Sequence, residues 1–176
     1  LLWPLWVQGR GDKRWINRWA PFYTHSRING LEKKWYFWPL FKTLKWQKNP
    51  LYFRQEQFLY FLFWTQRQQN ADGTFLAEKT HFWPFYSYWN NGQGEIQFQS
   101  LSPFEVFFPN SEPIRQLYSP LFAFYRFHQR KDGSRLQSLF FDFIKEEKGA
   151  KKKVFQASFL LYYSRTNGNA KFEIFK

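Results

Sequence analysis

Along this chain large apolar residues gather in uncharged runs, and short polar breaks separate those runs at a near-constant interval. The breaks are Gly9-Arg10-Gly11-Asp12, Asn29-Gly30, Asn49-Pro50, Asp72-Gly73, Asn91-Gly92, Asn110 with Pro113, Asp132-Gly133, Gly149 and Asn167-Gly168. Their spacing is about 20 residues, a period at which internal repetition governs the fold. Asn-Gly and Asp-Gly accept positive φ at both central turn positions, so each break predicts a tight hairpin. The runs are filled with Phe, Tyr and Trp, which suit a pleated surface, and they show no 3.6-residue period.

A second mark recurs in mid-run. Trp3-Pro4-Leu5-Trp6, Ala20-Pro21-Phe22-Tyr23, Trp38-Pro39-Leu40-Phe41, Trp83-Pro84-Phe85-Tyr86, Ser102-Pro103-Phe104 and Ser119-Pro120-Leu121-Phe122 place proline before large apolar residues. Tyr60-Phe61-Leu62-Phe63, Leu139-Phe140-Phe141 and Phe159-Leu160-Leu161 hold the same place without proline. Because the apolar run survives without it, proline reads as a bulge that bends one long strand; the alternative is two short strands with a corner at the proline. The chain therefore reads as all-β: an antiparallel meander of about nine long strands in ~20-residue repeats, closed or curved into a barrel. Residues 1–176 form one β-repeat domain, and the half-units at both ends suggest part of a longer chain.

Charge placement refines this picture. Gln57 to Gln66, Gln116 to Tyr125, Val154 to Ser164 and Trp35 to Phe41 are free of charge, each between charged residues. A belt of about 10 residues tilted near 45° would rise roughly 24 Å, the height of the apolar band of an outer-membrane barrel. Alternation agrees in places: Phe155, Phe159, Leu161 and Tyr163 oppose Gln156, Ser158 and Ser164. Phe82 to Trp89 is aromatic on both faces, which argues against a wide aqueous pore. No uncharged apolar run reaches the roughly 18 residues that a spanning helix requires.

Composition narrows the chemistry. The chain has no Cys, which removes disulfides and thiolate metal sites. Lys and Arg number 26 against 13 Asp and Glu, a formal charge of +13. That excess points to anionic partners. Lys145, Lys148, Lys151, Lys152 and Lys153 form the densest cluster and are the candidate contact for anionic lipid, lipopolysaccharide or an envelope polymer. Glu105 and Asp142 interrupt apolar strands and, with Arg126, are candidate interior polar residues, because charges facing lipid are disfavoured. Aromatic residues crowd the charge-free runs instead of interleaving with Lys and Arg, which weighs against nucleic-acid binding. His25, His81 and His128 show no metal-ligand spacing, and no nucleophile motif or complete phosphate loop occurs. No catalytic, metal or cofactor site is expected, and the chain reads as non-enzymatic.

With these elements in view, the chain resembles uncharacterised repeat proteins of Gram-negative bacteria that alternate a Pro-Leu-Phe-Trp or Pro-Leu-Phe-Tyr strand with an Arg-Asp-Gly-type turn. Trp38-Pro39-Leu40-Phe41, and Ser119-Pro120-Leu121-Phe122 followed by Arg130-Lys131-Asp132-Gly133, carry the likeness. It implies a cell-envelope setting, no known activity and no functional residues to transfer. A fainter likeness, to the Tyr-Asp repeats of large bacterial toxins, lies in Lys131-Asp132-Gly133-Ser134-Arg135-Leu136, which lacks the Tyr-Asp pair itself. The leading expectation is an outer-membrane β-barrel, or a segment of one, with a structural or channel-like role. The alternative is a soluble, periplasmic or cell-surface β-repeat module that binds a protein partner or envelope polymer within a larger assembly.

Overall fold

The computed structural model describes residues 5–102 and 123–174, and every regular element among them is a β-strand. The strands group into two compact units, Leu1–His81 and Phe82–Lys176. The first holds β1 (Trp6–Gly11), β2 (Arg14–Trp19), β3 (Tyr23–Ile28), β4 (Leu31–Tyr36), β5 (Phe41–Lys48), β6 (Leu51–Phe58), β7 (Phe63–Gln69) and most of β8 (Phe75–Phe82). The second holds β9 (Tyr86–Asn90), β10 (Ile96–Ser100), β11 (Tyr125–Gln129), β12 (Arg135–Leu139), β13 (Ile144–Lys148), β14 (Lys152–Ala157), β15 (Leu161–Thr166) and β16 (Asn169–Ile174). Sheet order follows chain order from β1 to β16, and the strand pairs whose registers are resolved are antiparallel.

The all-β meander agrees with the sequence; the nine long strands do not. Among the described residues there are 16 strands in the sheet, each of 5 to 8 residues. The expected bent strand is a hairpin, and the Pro-Leu-Phe corner is its turn. In the Trp38-Pro39-Leu40 turn, Phe37 has φ 47° and the Leu40 N–H donates to the Phe37 carbonyl at 2.7 Å. The Leu59 to Leu62 turn closes in the same way at 3.2 Å without a proline. Proline has no N–H to give a ladder, and in this turn the left-handed Phe37, two residues before Pro39, helps to reverse the chain. The closed barrel also needs correction, because the order begins at β1 and ends at β16, and no pairing joins those two strands among the described residues.

Two of the polar breaks are the tight hairpin turns that the sequence indicates, Asn29-Gly30 and Asn167-Gly168, whereas at Asp72-Gly73, Asn91-Gly92 and Asp132-Gly133 only the glycine has positive φ. Asn29 and Gly30 have φ 48° and 83°, and Asn167 and Gly168 have 50° and 90°, the doubly positive pair of a tight hairpin turn. The Asp-Gly breaks repeat one loop in both units. In one, Asn70 N–H donates to Thr74 O at 2.9 Å and Gly73 N–H to Asn70 O at 3.0 Å; in the other, Arg130 to Ser134 is 2.8 Å and Gly133 to Arg130 is 3.0 Å. Thr74 and Ser134, through their side chains first and their N–H groups second, hold the Asp two residues earlier below the usual carboxylate range; the N–H donors lie 2.9 and 2.8 Å from Asp72 and Asp132.

Alternating turns sort the chain by polarity. In an antiparallel meander odd and even turns lie at opposite strand ends, so polar turns collect along one border and Pro-Leu-Phe turns along the other. Backbone bonds stitch successive aromatic turns together: Ala20 N–H to Leu5 O at 2.8 Å, Phe37 N–H to Phe22 O at 2.7 Å, and Leu59 N–H to Leu40 O at 2.8 Å. Buried apolar residues are few among those described, namely Trp35, Trp64, Ala123 and Leu136. Several buried side chains are polar, including His81, Ser87, Gln99 and Ser138.

Candidate functional site

Register converts the sequence repeat into a continuous apolar line. In the first unit Trp6, Trp19, Tyr23, Tyr36, Phe41, Phe58 and Phe63 stand directly opposite one another, strand by strand, beside the aromatic turns. Seven strands at the usual spacing make this ladder about 29 Å long. Tyr23 and Tyr36 rings lie 5.3 Å apart and Phe41 and Phe58 rings 5.0 Å apart, the contact range of cross-strand aromatic pairs. The turns add to it: Phe22 packs edge-on against Phe37 at 6.1 Å and tilts against Trp19 at 5.3 Å. In the second unit the same row is Tyr86, Ser100, Tyr125, Leu139, Ile144, Ala157, Leu161 and Ile174, more aliphatic but still without charge.

This border is exposed. Trp19 is 61% accessible, Trp38 59%, Phe61 56% and Phe159 61%, and most of the exposed large apolar side chains among the described residues lie along it. At the other strand ends the turns are basic, with Lys13, Arg14, Lys48, Arg130, Lys131, Lys151 and Lys152 in or beside them. A six-residue strand is about 20 Å long, so apolar and basic borders are separated by that distance. The charge-free belt of Gln57 to Gln66 is folded in half: Gln57 pairs with Trp64 and Phe58 with Phe63. Its apolar depth is about 10 Å, roughly half the height that the belt would have as one continuous strand.

The opposite face of the first unit is built differently. Arg18, Thr24, Trp35, Lys42, Gln57 and Trp64 stand in one row across β2 to β7. Trp35 is 7% exposed; the Lys33 and Lys42 ammonium groups each lie 5.1 Å from its ring centre, and Tyr60 leans over it at 5.4 Å. Burial, with a smaller push from Lys33, lowers the Lys42 pKa. Beside Trp35 is a groove of about 390 Å³ lined by Arg18, Ala20, Pro21, Thr24, Ser26, Lys33, Trp35, Trp38 and Tyr60.

The residues singled out from sequence are dispersed. Lys145 is the second residue of β13, near the aromatic border, and pairs with Gln156, whereas Lys148 ends that strand at the basic border. Lys148 and Lys153 share Glu146, at 3.1 and 3.5 Å, and the Lys148 hydrogen bond is the main reason the Glu146 pKa is lowered. Lys151 is exposed in the turn, and Lys152 lies on the sheet face opposite to Lys153. The five lysines thus do not form one patch. Arg126 and Asp142 meet: Arg126 Nη2 donates to both carboxylate oxygens, at 2.7 and 3.0 Å, with the Arg side chain 13% exposed. Asp142 is a turn residue with φ 65°, not part of a strand. Glu105 lies outside the described residues.

The three histidines remain apart. His25 Nε2 lies 2.8 Å from Glu32, holding that carboxyl below its ordinary pKa, and His128 lies 3.2 Å from Glu95. No group of His, Asp or Glu among the described residues has a metal-binding arrangement. Sequence reasoning passed over His81, which is 2% exposed, lies 4.4 Å from the Trp64 ring, and has no hydrogen-bond partner on either nitrogen among the described residues. Burial, assisted by Lys79, pushes its pKa down from 6.5 to about 4.

That shift makes a prediction. Above pH 6.5 His81 is neutral folded or unfolded; between 6.5 and about 4 only the unfolded chain takes the proton. Stability therefore falls as pH drops through that window, by about 3 kcal/mol in total, and levels off below it. Urea midpoints measured from pH 7.5 to 4 should decline more in the native chain than in His81→Phe, which keeps the stack on Trp64. Parallel curves would contradict the assignment.

Compared with protein-family models and with curated proteins, the chain matches none.

Proposed function

We propose that this chain is a non-enzymatic structural module of a bacterial cell envelope, a β-repeat sheet that engages an apolar partner along its aromatic border. The observation that carries this reading is the ladder from Trp6 to Phe63 with its exposed aromatic turns, set opposite a basic border. An exposed apolar surface of that length is costly in water and marks a site of association. Polar turns of Asn-Gly and Asp-Gly at the far border keep that side hydrated. The likeness to Gram-negative repeat proteins supplies the compartment.

The outer-membrane barrel stays as a second reading on one observation: a meander of 16 strands in sheet order is the connectivity of an up-and-down barrel. Against it, no pairing joins β1 to β16 among the described residues, where the longest strands have 8 residues and a barrel strand needs about 9–11 to cross a bilayer. Two measurements separate the readings. The module should sediment with envelopes, come away in mild detergent, migrate identically on gels with and without heating, and give no conductance steps in a planar bilayer. A heat-modifiable band with discrete conductance would establish the barrel instead. If Trp19→Ser/Phe61→Ser sedimented with envelopes as the native chain does, the border would not be the engaging surface.

A further inference from the structure

We infer that the groove beside Trp35 binds a single anionic amphiphile, its acyl chain against Trp35, Trp38 and Tyr60 and its anionic head on Arg18 and Lys33. The groove exists because of what β3 contributes. Thr24 and Ser26 are small and form its floor, while β2 places Arg18 on one side and β4 places Lys33 and Trp35 on the other. The aromatic turns close its end with Trp38 and Tyr60. A volume of about 390 Å³ is in the range of small-ligand pockets, and its walls combine three aromatic rings with two cations.

Charge supplies the specificity. Arg18 and Lys33 line the groove, Lys42 stands over Trp35 beside it, and no acidic residue is among the lining residues. A site of this composition repels cations and gives the ammonium group of a zwitterionic amphiphile no acidic partner. Free phosphate would meet the cations but leave the exposed Trp38 and Tyr60 rings uncovered. An amphiphile with an anionic head satisfies both halves. The groove lies on the face opposite the ladder, but its Trp38 and Tyr60 end belongs to the same aromatic border, so its ligand would lie where that border meets an apolar phase. This inference deepens the proposed function by naming the partner of that border as lipid.

The test is calorimetric titration of the full chain with dihexanoyl-phosphatidylglycerol below its micelle concentration, with dihexanoyl-phosphatidylcholine and inorganic phosphate as separate arms. Saturable binding near one per chain is expected for the glycerol lipid, at least tenfold weaker binding for the choline lipid, and none for phosphate. Arg18→Glu and Thr24→Phe, which fills the groove floor, should each weaken binding at least tenfold with an unchanged far-ultraviolet spectrum. Should either variant lose that spectrum, Lys33→Glu replaces it under the same expectation. Equal binding of the two lipids, phosphate binding alone as tightly, or an unaffected Thr24→Phe would each overturn the inference. If the lipid fails to bind while Trp19→Ser/Phe61→Ser still releases the chain from envelopes, the inference falls and the border reading stands. If the lipid binds but that double variant stays with envelopes, the border reading falls alone.

Discussion

Trp35→Ala should cost about 3–5 kcal/mol in urea unfolding, a large part of what holds a domain of this size together. Trp35 is among the few buried apolar residues described, so its loss removes apolar area that nothing nearby replaces. The truncation also strips the Lys33 and Lys42 ammonium groups of the ring they share, and leaves Tyr60 leaning over a void. Trp19→Ala is the control, because Trp19 lies on the exposed border at 61% accessibility and should cost less than about 1 kcal/mol. Equal effects at the two sites would mean that the buried and exposed faces have been assigned wrongly.

The second large effect concerns Arg126 and Asp142. Asp142→Asn retains a residue that tolerates left-handed backbone, so φ 65° is not the variable; only the charge is removed. The guanidinium, 13% exposed, then keeps its Ser138 contact but loses the carboxylate that took both of its closer bonds. A cost of about 2–3 kcal/mol is expected, because an ion left buried without its counter-ion is worse than no ion. Arg126→Met in the same chain should recover most of that loss. Additive losses in the double variant would show that the two residues are not coupled.

Some of this architecture is visible in the residues and some is not. Asn29-Gly30 and Asn167-Gly168 announce their turns because few other pairs take positive φ at both positions at so little cost, and Asp72-Gly73 and Asp132-Gly133 because the Asp carboxylate accepts from a later N–H while the glycine takes the positive φ. The opposite turns are hidden because their residues are strand formers. Phe140, Phe141 and Asp142 are three successive left-handed residues, none of them glycine, and a local reading of propensity places them in a strand. Missing those turns doubled the apparent strand length, and a hairpin with an apolar tip took on the height of a membrane-spanning belt. The aromatic ladder and the groove were hidden for a related reason. Both depend on cross-strand register, and a shift of one residue would send Thr24, Ser26 and Trp35 to the other face. The lysine cluster near residue 150 was legible as sequence, yet pleating deals its members to two faces and Glu146 takes up two of them.

The whole account turns on the chain reversing at its apolar motifs. A Tyr36→Cys/Phe41→Cys chain tests this in a background with no other cysteine. In the hairpin these two residues are directly opposed across β4 and β5, within the distance a disulfide spans. In one extended strand they would be about 17 Å apart, far beyond reach. Mild oxidation at low protein concentration should convert the monomer to an intramolecular disulfide with no free thiol. Persistent free thiols in a folded chain would contradict the fold, the aromatic border and the groove together.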